Sequence, residues 1–145
     1  MTIRQLTVYV ENKKGALVEI TTKLAENGID LRAMSIADTK DFGILRLIVS
    51  DTDRAVEVLH GMGILVKVTD VLGVKISDEI GNLSQALQVL DDNGINLEYL
   101  YAFLLRTDKH AYTVLRVEDN EHASQCLINA GFSIITDSDI AKLLR

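Results

Sequence analysis

The sequence predicts an α+β chain of two tandem βαββαβ domains, each a four-stranded antiparallel sheet with two helices on one face. Three observations lead there. First, the chain repeats itself. LTVYVENKKGALVEITTKLAENGIDL from Leu6 and LGVKISDEIGNLSQALQVLDDNGINL from Leu72 keep Leu, Val, Gly, Leu, Leu, Asn-Gly-Ile and Leu in register at an offset of 66 positions. After a length difference of two residues, Val49, Asp51, Ala55, Leu59 and Gly63 align with Val117, Asp119, Ala123, Leu127 and Gly131. That period is longer than a solenoid unit, so it marks two copies of one small domain. Second, apolar periodicity within each copy alternates between strand-like and helix-like in the order strand, helix, strand, strand, helix, strand. Third, strand-helix-strand crossovers are right-handed, and two of them around a hairpin give the split βαβ plan.

The elements follow in order. Leu6, Val8 and Val10 alternate with Thr7 and Tyr9 as a strand does. Leu17, Ile20 and Leu24 then share a helical face, and Asn27-Gly28 closes that helix, because glycine accepts the left-handed terminal conformation. Ile29 to Asp38 reads as a second strand, Lys40-Asp41 as a turn before Gly43, and Ile44 to Val49 as a β-branched third strand. Asp51 is an N-cap for a helix carrying Ala55, Leu59 and Met62; Gly61 and Gly63 break it before a strand from Ile64 to Val68. The second copy repeats this: strand Leu72 to Ile76, a helix with Leu83, Leu87 and Leu90, strands Asn96 to Leu104 and Ala111 to Val117, a helix with Ala123, Leu127 and Ala130, and a strand Phe132 to Thr136. Asp137 or Ser138 is expected to cap a short tail helix through Leu144. The domains are expected at 1–70 and 71–145 with no flexible linker, packed on each other and joined into a larger continuous sheet.

Composition narrows the function. A charged fraction of 25% against 48% apolar residues is that of a globular protein. No apolar run approaches the roughly 20 residues that cross a bilayer, and the first residues lack a signal-peptide pattern, so a cytoplasmic location and no membrane partner are expected. A net charge of −6 argues against a nucleic-acid backbone as partner. One Cys permits no internal disulfide and suits a reducing compartment, while scattered His residues offer no metal cluster. No metal or cofactor is expected.

The strand-to-helix turn carries the functional signal: Glu11-Asn12-Lys13-Lys14-Gly15-Ala16-Leu17 in copy one, Ser77-Asp78-Glu79-Ile80-Gly81-Asn82-Leu83 in copy two. A helix start exposes unpaired N–H groups and the positive end of the dipole. Gly15 or Gly81 lets a ligand approach the backbone. The result is an anion site that suits a carboxylate. Asn12 or Asp78 adds an acceptor, so the ligand expected is a free amino acid. The alternative is that Asn12 merely caps its helix.

These residues carry a resemblance. Strand, Asn/Asp-x-x-Gly-x-Leu, apolar helix and Asn-Gly-Ile-Asn/Asp-Leu are similar to the ACT domain, over nearly the whole chain and in two copies. The resemblance implies a ferredoxin-like regulatory module that binds small molecules, often amino acids, between modules. It also implies ligand contacts from the loops Asn12 to Leu17 and Asp78 to Leu83, and from the second strands at Met34, Ser35, Ile36 and Ala37 and at Leu100, Tyr101 and Ala102. The family's Pro before the Gly is here Lys14 or Ile80, which leaves the loops less rigid. Asp78-Glu79 replaces Asn12-Lys13, so the ligand carboxylate is expected at Asn12, Lys13, Gly15, Ala16 and Leu17. An ammonium is expected near Asp78 and Glu79 beside Gly81, Asn82 and Leu83. Whether both loops are occupied, or one is occupied and one silent, stays open at this point.

Other residues frame the alternatives. Leu97, Tyr99, Tyr101 and Phe103 are expected on one strand face, matching Leu31, Ala33, Ser35 and Ala37; the rings line a pocket or pack a core. Met34, Ile36, Ile44, Ile48, Leu100 and Leu104 are expected on the sheet face away from the helices. Such an apolar face calls for a partner, most simply a second copy in a homodimer. Cys126, at the position of Val58, reads as core; His60, His110 and His122 read as surface residues. No catalytic constellation is suggested. The ACT resemblance implies an amino-acid sensor; the alternative is a non-catalytic regulatory subunit, since the first half resembles the regulatory subunits of amino-acid biosynthetic enzymes such as acetohydroxyacid synthase. An acylphosphatase-like enzyme is disfavoured, because neither loop holds the Arg that chemistry needs.

Overall fold

The computed structural model describes residues 1–38, 41–106 and 109–143. The chain divides into two compact units, Arg4–Thr69 and Asp70–Arg145 with Met1–Ile3. The first unit is built from β1 (Ile3–Glu11), α1 (Ala16–Glu26), β2 (Leu31–Asp38), β3 (Phe42–Val49), α2 (Thr52–Gly61) and the opening of β4 (Val66–Ser77). β3 lies antiparallel between β1 and β2, with Leu47 opposite both Leu6 and Met34. The Tyr9 N–H donates to Leu65 O at 3.4 Å, which sets the chain entering β4 along the free edge of β1. Leu6, Val8, Leu45 and Leu47 from the sheet meet Ile20, Leu24 and Leu59 from the helices in a closed apolar core.

The second unit repeats the plan with the rest of β4, α3 (Asn82–Asp92), β5 (Leu97–Arg106), β6 (His110–Val117), α4 (Asn120–Asn129) and β7 (Ser133–Ile135), followed by α5 (Asp137–Leu143). β6 pairs antiparallel with β4 and β5, and β7 pairs with the other edge of β4. Its core is Leu72, Val74, Ile76, Leu90, Leu115 and Leu127 with their neighbours. Both units are thus βαββαβ, as the periodicity predicts.

Local chemistry fixes the helix ends alike in both copies. Gly28 (φ 71°) and Gly94 (φ 69°) take the left-handed conformation. Ile29 N–H then reaches Leu24 O at 3.0 Å, and Ile95 N–H reaches Leu90 O at 2.9 Å, which satisfies carbonyls the helix leaves over. Asp51 caps α2 by accepting from Arg54 N–H at 3.1 Å, and Asp119 caps α4 from His122 N–H at 3.0 Å.

Two expectations are corrected. The pairing passes from Leu31↔Val49 to Ala33↔Ile48, and from Leu97↔Val117 to Tyr99↔Arg116, so β2 and β5 each carry a bulge. A bulge adds one residue and exchanges the faces of everything after it. Leu31 and Leu97 pack on the cores, but beyond the bulge Met34 and Leu100 stand opposite the core residues Leu47 and Leu115. Met34, Ile36 and Leu100 are therefore on the helix side, not on the face away from it. Ala33, Ser35 and Ala37 share that other face with Ile48, Arg46 and Ile44, while Leu97 does not share the face of Tyr99 and Tyr101. Leu104, past a further register shift, is exposed.

The second correction concerns the tail helix. Thr136, not Asp137 or Ser138, caps α5. Its hydroxyl accepts from Asp139 N–H at 3.3 Å, while its own N–H donates to Asp139 Oδ2 at 2.8 Å. That reciprocal pair is a capping box with Asp in the third position. Lys40 of the predicted turn and Leu144 of the predicted tail lie outside the described residues.

Candidate ligand clefts

The two strand-to-helix turns have the same construction. Gly15 (φ 86°, ψ −11°) precedes α1 and Gly81 (φ 88°, ψ −6°) precedes α3, and no side chain caps either helix. Both glycines are left-handed, a region costly for a residue with a Cβ. A Cβ built at either would meet nothing within 4 Å, so neither corner is blocked by the protein's own atoms. Each loop is tied to the hairpin beside it through the main chain: Asn12 N–H donates to Asp41 O at 3.2 Å and Asp78 N–H to Lys109 O at 2.8 Å. Because Gly15 holds the N-cap position and no side chain caps α1, Asn12 is not its cap.

Next to each turn lies a cleft between the first helix, the strand before it and the glycine turn after the second helix. In copy two it measures about 380 Å³ and is lined by Lys75, Ser77, Asn82, Gln85, His110 and Ser133, among others. In copy one it measures about 280 Å³, with Tyr9, Glu11, Lys13, Ala16, Glu19 and Leu65 in its wall. In the repeat register Lys75 stands at Tyr9, Ser77 at Glu11, Asn82 at Ala16, Gln85 at Glu19 and Ser133 at Leu65.

The floor of the copy-two cleft is the place where β7 begins. Lys75 pairs with Ser133, the first residue of β7, so the edge of β4 past Lys75 has no strand beside it there. On its other side Ser77 pairs with His110. Asn82 bridges helix and strand: its Oδ1 accepts from Ser77 N–H at 2.8 Å, and its amide nitrogen faces Gln85 Oε1 at 3.4 Å. Ala16 cannot make that bridge in copy one. There the Lys13 ammonium is engaged by the Glu11 carboxylate at 3.2 Å.

Of the residues predicted from sequence, Lys13 and Ala16 line the first cleft and Asn82 the second. Asn12, Asp78 and Glu79 are exposed on the loops beside them, and Leu83 is exposed on the first turn of α3. Leu17 and Met34 pack against the first core. Ser35 lies on the opposite face of β2 from Met34, and Ile36 is exposed. Leu100 and Ala102 are exposed, whereas Tyr101 is buried with its ring 6.4 Å from that of Tyr99 at an interplanar angle of 22°. None of these strand residues lines either cleft. Lys75, Gln85, His110 and Ser133 were not anticipated. The signal for the first two was present in the repeat, as a Lys facing a Tyr and a Gln facing a Glu at aligned positions.

Among the described residues no group of His, Cys, Asp and Glu is arranged to hold a metal ion. No helix among them is long and apolar enough to cross a membrane.

Comparison with known proteins agrees with this architecture. The family model of the ACT domain pair matches residues 1–144. The crystal structure of protein BT0572 from Bacteroides thetaiotaomicron superposes with a TM-score of 0.91 at 36% identity, covering 99% of this chain and 98% of that one. The ligand-free regulatory subunit of aspartate kinase from Thermus thermophilus superposes with a TM-score of 0.67 at 17% identity, covering 88% and 92%. The corresponding subunit from Thermus flavus gives 0.62 at 17% identity, covering 88% and 91%. No curated protein sequence matches. With two βαββαβ units, a glycine-opened helix start in each and a family model spanning nearly its whole length, the chain belongs to the ACT domain family, as an ACT domain pair.

Proposed function

We propose that this chain is a non-catalytic, cytoplasmic regulatory protein that binds a small amino acid through its strand-to-helix loops and acts as a homodimer. One observation carries the reading. In both copies a left-handed glycine opens an uncapped helix start onto free space. Main-chain N–H groups and the helix dipole there favour a carboxylate. The acidic pair Asp78-Glu79 stands close by for an ammonium. Regulation follows from linkage: a ligand that contacts one arrangement of the modules better than another shifts the population toward it. A sensor has to release its ligand as the pool falls, so a Kd between about 1 μM and 1 mM is expected. Calorimetry and thermal shift of the full chain against the twenty amino acids test this. Saturable heat with one or a few of them supports the reading, and no response to any ends it.

A second reading is a regulatory subunit for an enzyme of amino-acid biosynthesis. Its support is the fold shared over most of both chains with the aspartate kinase regulatory subunit from Thermus thermophilus. Co-purification of a larger catalytic chain with this protein favours it; a homodimer alone by sedimentation counts against it.

A further inference from the structure

The two clefts, alike in position, are opposite in chemistry. The copy-two cleft is lined by the polar residues Lys75, Ser77, Asn82, Gln85, His110 and Ser133, with Val89, Ala130 and Phe132 as its apolar part. Among the described residues no carboxylate lines it. Among the described residues the copy-one cleft is lined by Glu11, Glu19 and Lys13, and the Lys13 ammonium is engaged by Glu11. Its remaining lining is largely apolar, including Ile20, Met62, Ile64 and Leu65. A carboxylate entering the second cleft meets a lysine and polar side chains that can replace part of its lost hydration. The same group in the first cleft meets like charge, which is unfavourable.

We propose that the copy-two cleft, lined by Lys75, His110 and Gln85, seats the carboxylate of the ligand, and that its copy-one counterpart seats none. This rests on the ligand-binding reading above and names the copy and side chains that serve it. It reverses the preference drawn from the loop sequences alone. Asp78 and Glu79 are not among the lining residues of the cleft.

The test uses the full chain and two small probes with a common carboxylate, acetate and glycine, followed by amide chemical shifts. Saturable shifts are expected at Ser77, Asn82, Gln85 and Ser133, with none at Glu11, Ala16, Glu19 and Leu65. Gln85→Glu gives copy two the charge of copy one at an exposed helix position and keeps the oxygen that faces the Asn82 amide. It is expected to weaken the probe about tenfold or more. Lys75→Met is expected to do the same, whereas Glu19→Gln leaves the copy-two response unchanged. Equal shifts in the two copies, no saturable shift in copy two, or indifference to Gln85→Glu would each overturn the assignment. The two probes separate this idea from the amino-acid reading. Acetate seated in copy two without glycine upholds the carboxylate cleft and removes the amino acid as its source. An amino acid that binds with unchanged affinity after Lys75→Met and Gln85→Glu upholds the sensor and sinks the cleft.

Discussion

Leu24 and Leu90 hold the same position on the first helix of each copy, and both are buried, at 0% and 2% exposure. Glu19 and Gln85, at another shared position on those helices, are both exposed and differ in charge. The duplicated domain has kept what its core requires, because a lost methylene group inside a packed interior is felt at once. It has let the cleft walls diverge, since a solvated side chain on a helix surface costs little to exchange. A repeat read in register therefore separates two kinds of residue. Identical pairs report packing, and unlike pairs facing the same cavity report specialisation.

The most forceful way to break that comparison is to empty the cores. Leu59 and Leu127 are both 0% exposed at equivalent places on the second helices. Leu59→Ala and Leu127→Ala are each expected to cost about 2–5 kcal/mol by urea unfolding, the usual range for a buried leucine. Equal losses support equivalent cores; a gap of more than about 2 kcal/mol would show that one copy tolerates a cavity the other does not. A smaller effect is expected where the copies differ on the sheet. Gly73 corresponds to Thr7, and a Cβ at Gly73 would come within 2.5 Å of Ile135 Cγ1 and 3.3 Å of Ile3 Cδ1. Gly73→Ala is expected to cost about 1–3 kcal/mol through overpacking. Thr7→Ala should cost about 1 kcal/mol, since Thr7 is half-buried and accepts a 3.1 Å hydrogen bond from the amide of the buried Gln5. The mildest matched pair is Asp51→Ala and Asp119→Ala. Each removes one N-cap bond and is expected to cost about 1 kcal/mol, equally in both copies.

Much of the fold was legible because the signals agree with one another. Strand alternation, Gly28 and Gly94 as helix terminators, and Asp51 and Asp119 as caps all appear in the structure where the letters place them. The bulges at Arg32 and Glu98 left no such mark. Neither residue is a glycine or a proline, so a strict period of two ran through them and put Met34 and Leu100 on the wrong face. The loops of the candidate site were legible from Gly15 and Gly81. The clefts beside them were not, because Lys75 and Ser133 come together only through the β4–β7 pairing, and His110 reaches Ser77 only through β4–β6. Contacts between distant strands depend on register, and register is written in no single segment.

The last contrast lies at the ends of the two copies, and it predicts a pH effect. After its second helix, copy one continues through Val68 along β4, whereas copy two at the aligned residue, Thr136, turns into α5. The Thr136–Asp139 capping box makes the difference. The Asp139 carboxylate accepts from the Thr136 N–H and hydroxyl, which, with Lys142 nearby, holds its pKa below the ordinary aspartate value of 3.8 against a small opposing effect of burial. A carboxyl group whose folded pKa is depressed favours the folded form above the unfolded value, and that contribution is lost as pH falls through the folded pKa. Acidification below about pH 4 should therefore loosen α5. The readout is the methyl resonance of Ile140, which is 3% exposed and anchors the helix. Asp139→Ala should abolish the acid-dependent step and leave α5 frayed at neutral pH, while the signals of α1 and α2 in copy one stay unchanged. An Ile140 resonance indifferent both to acid and to this substitution would show that packing, not the capping box, makes copy two end in a helix.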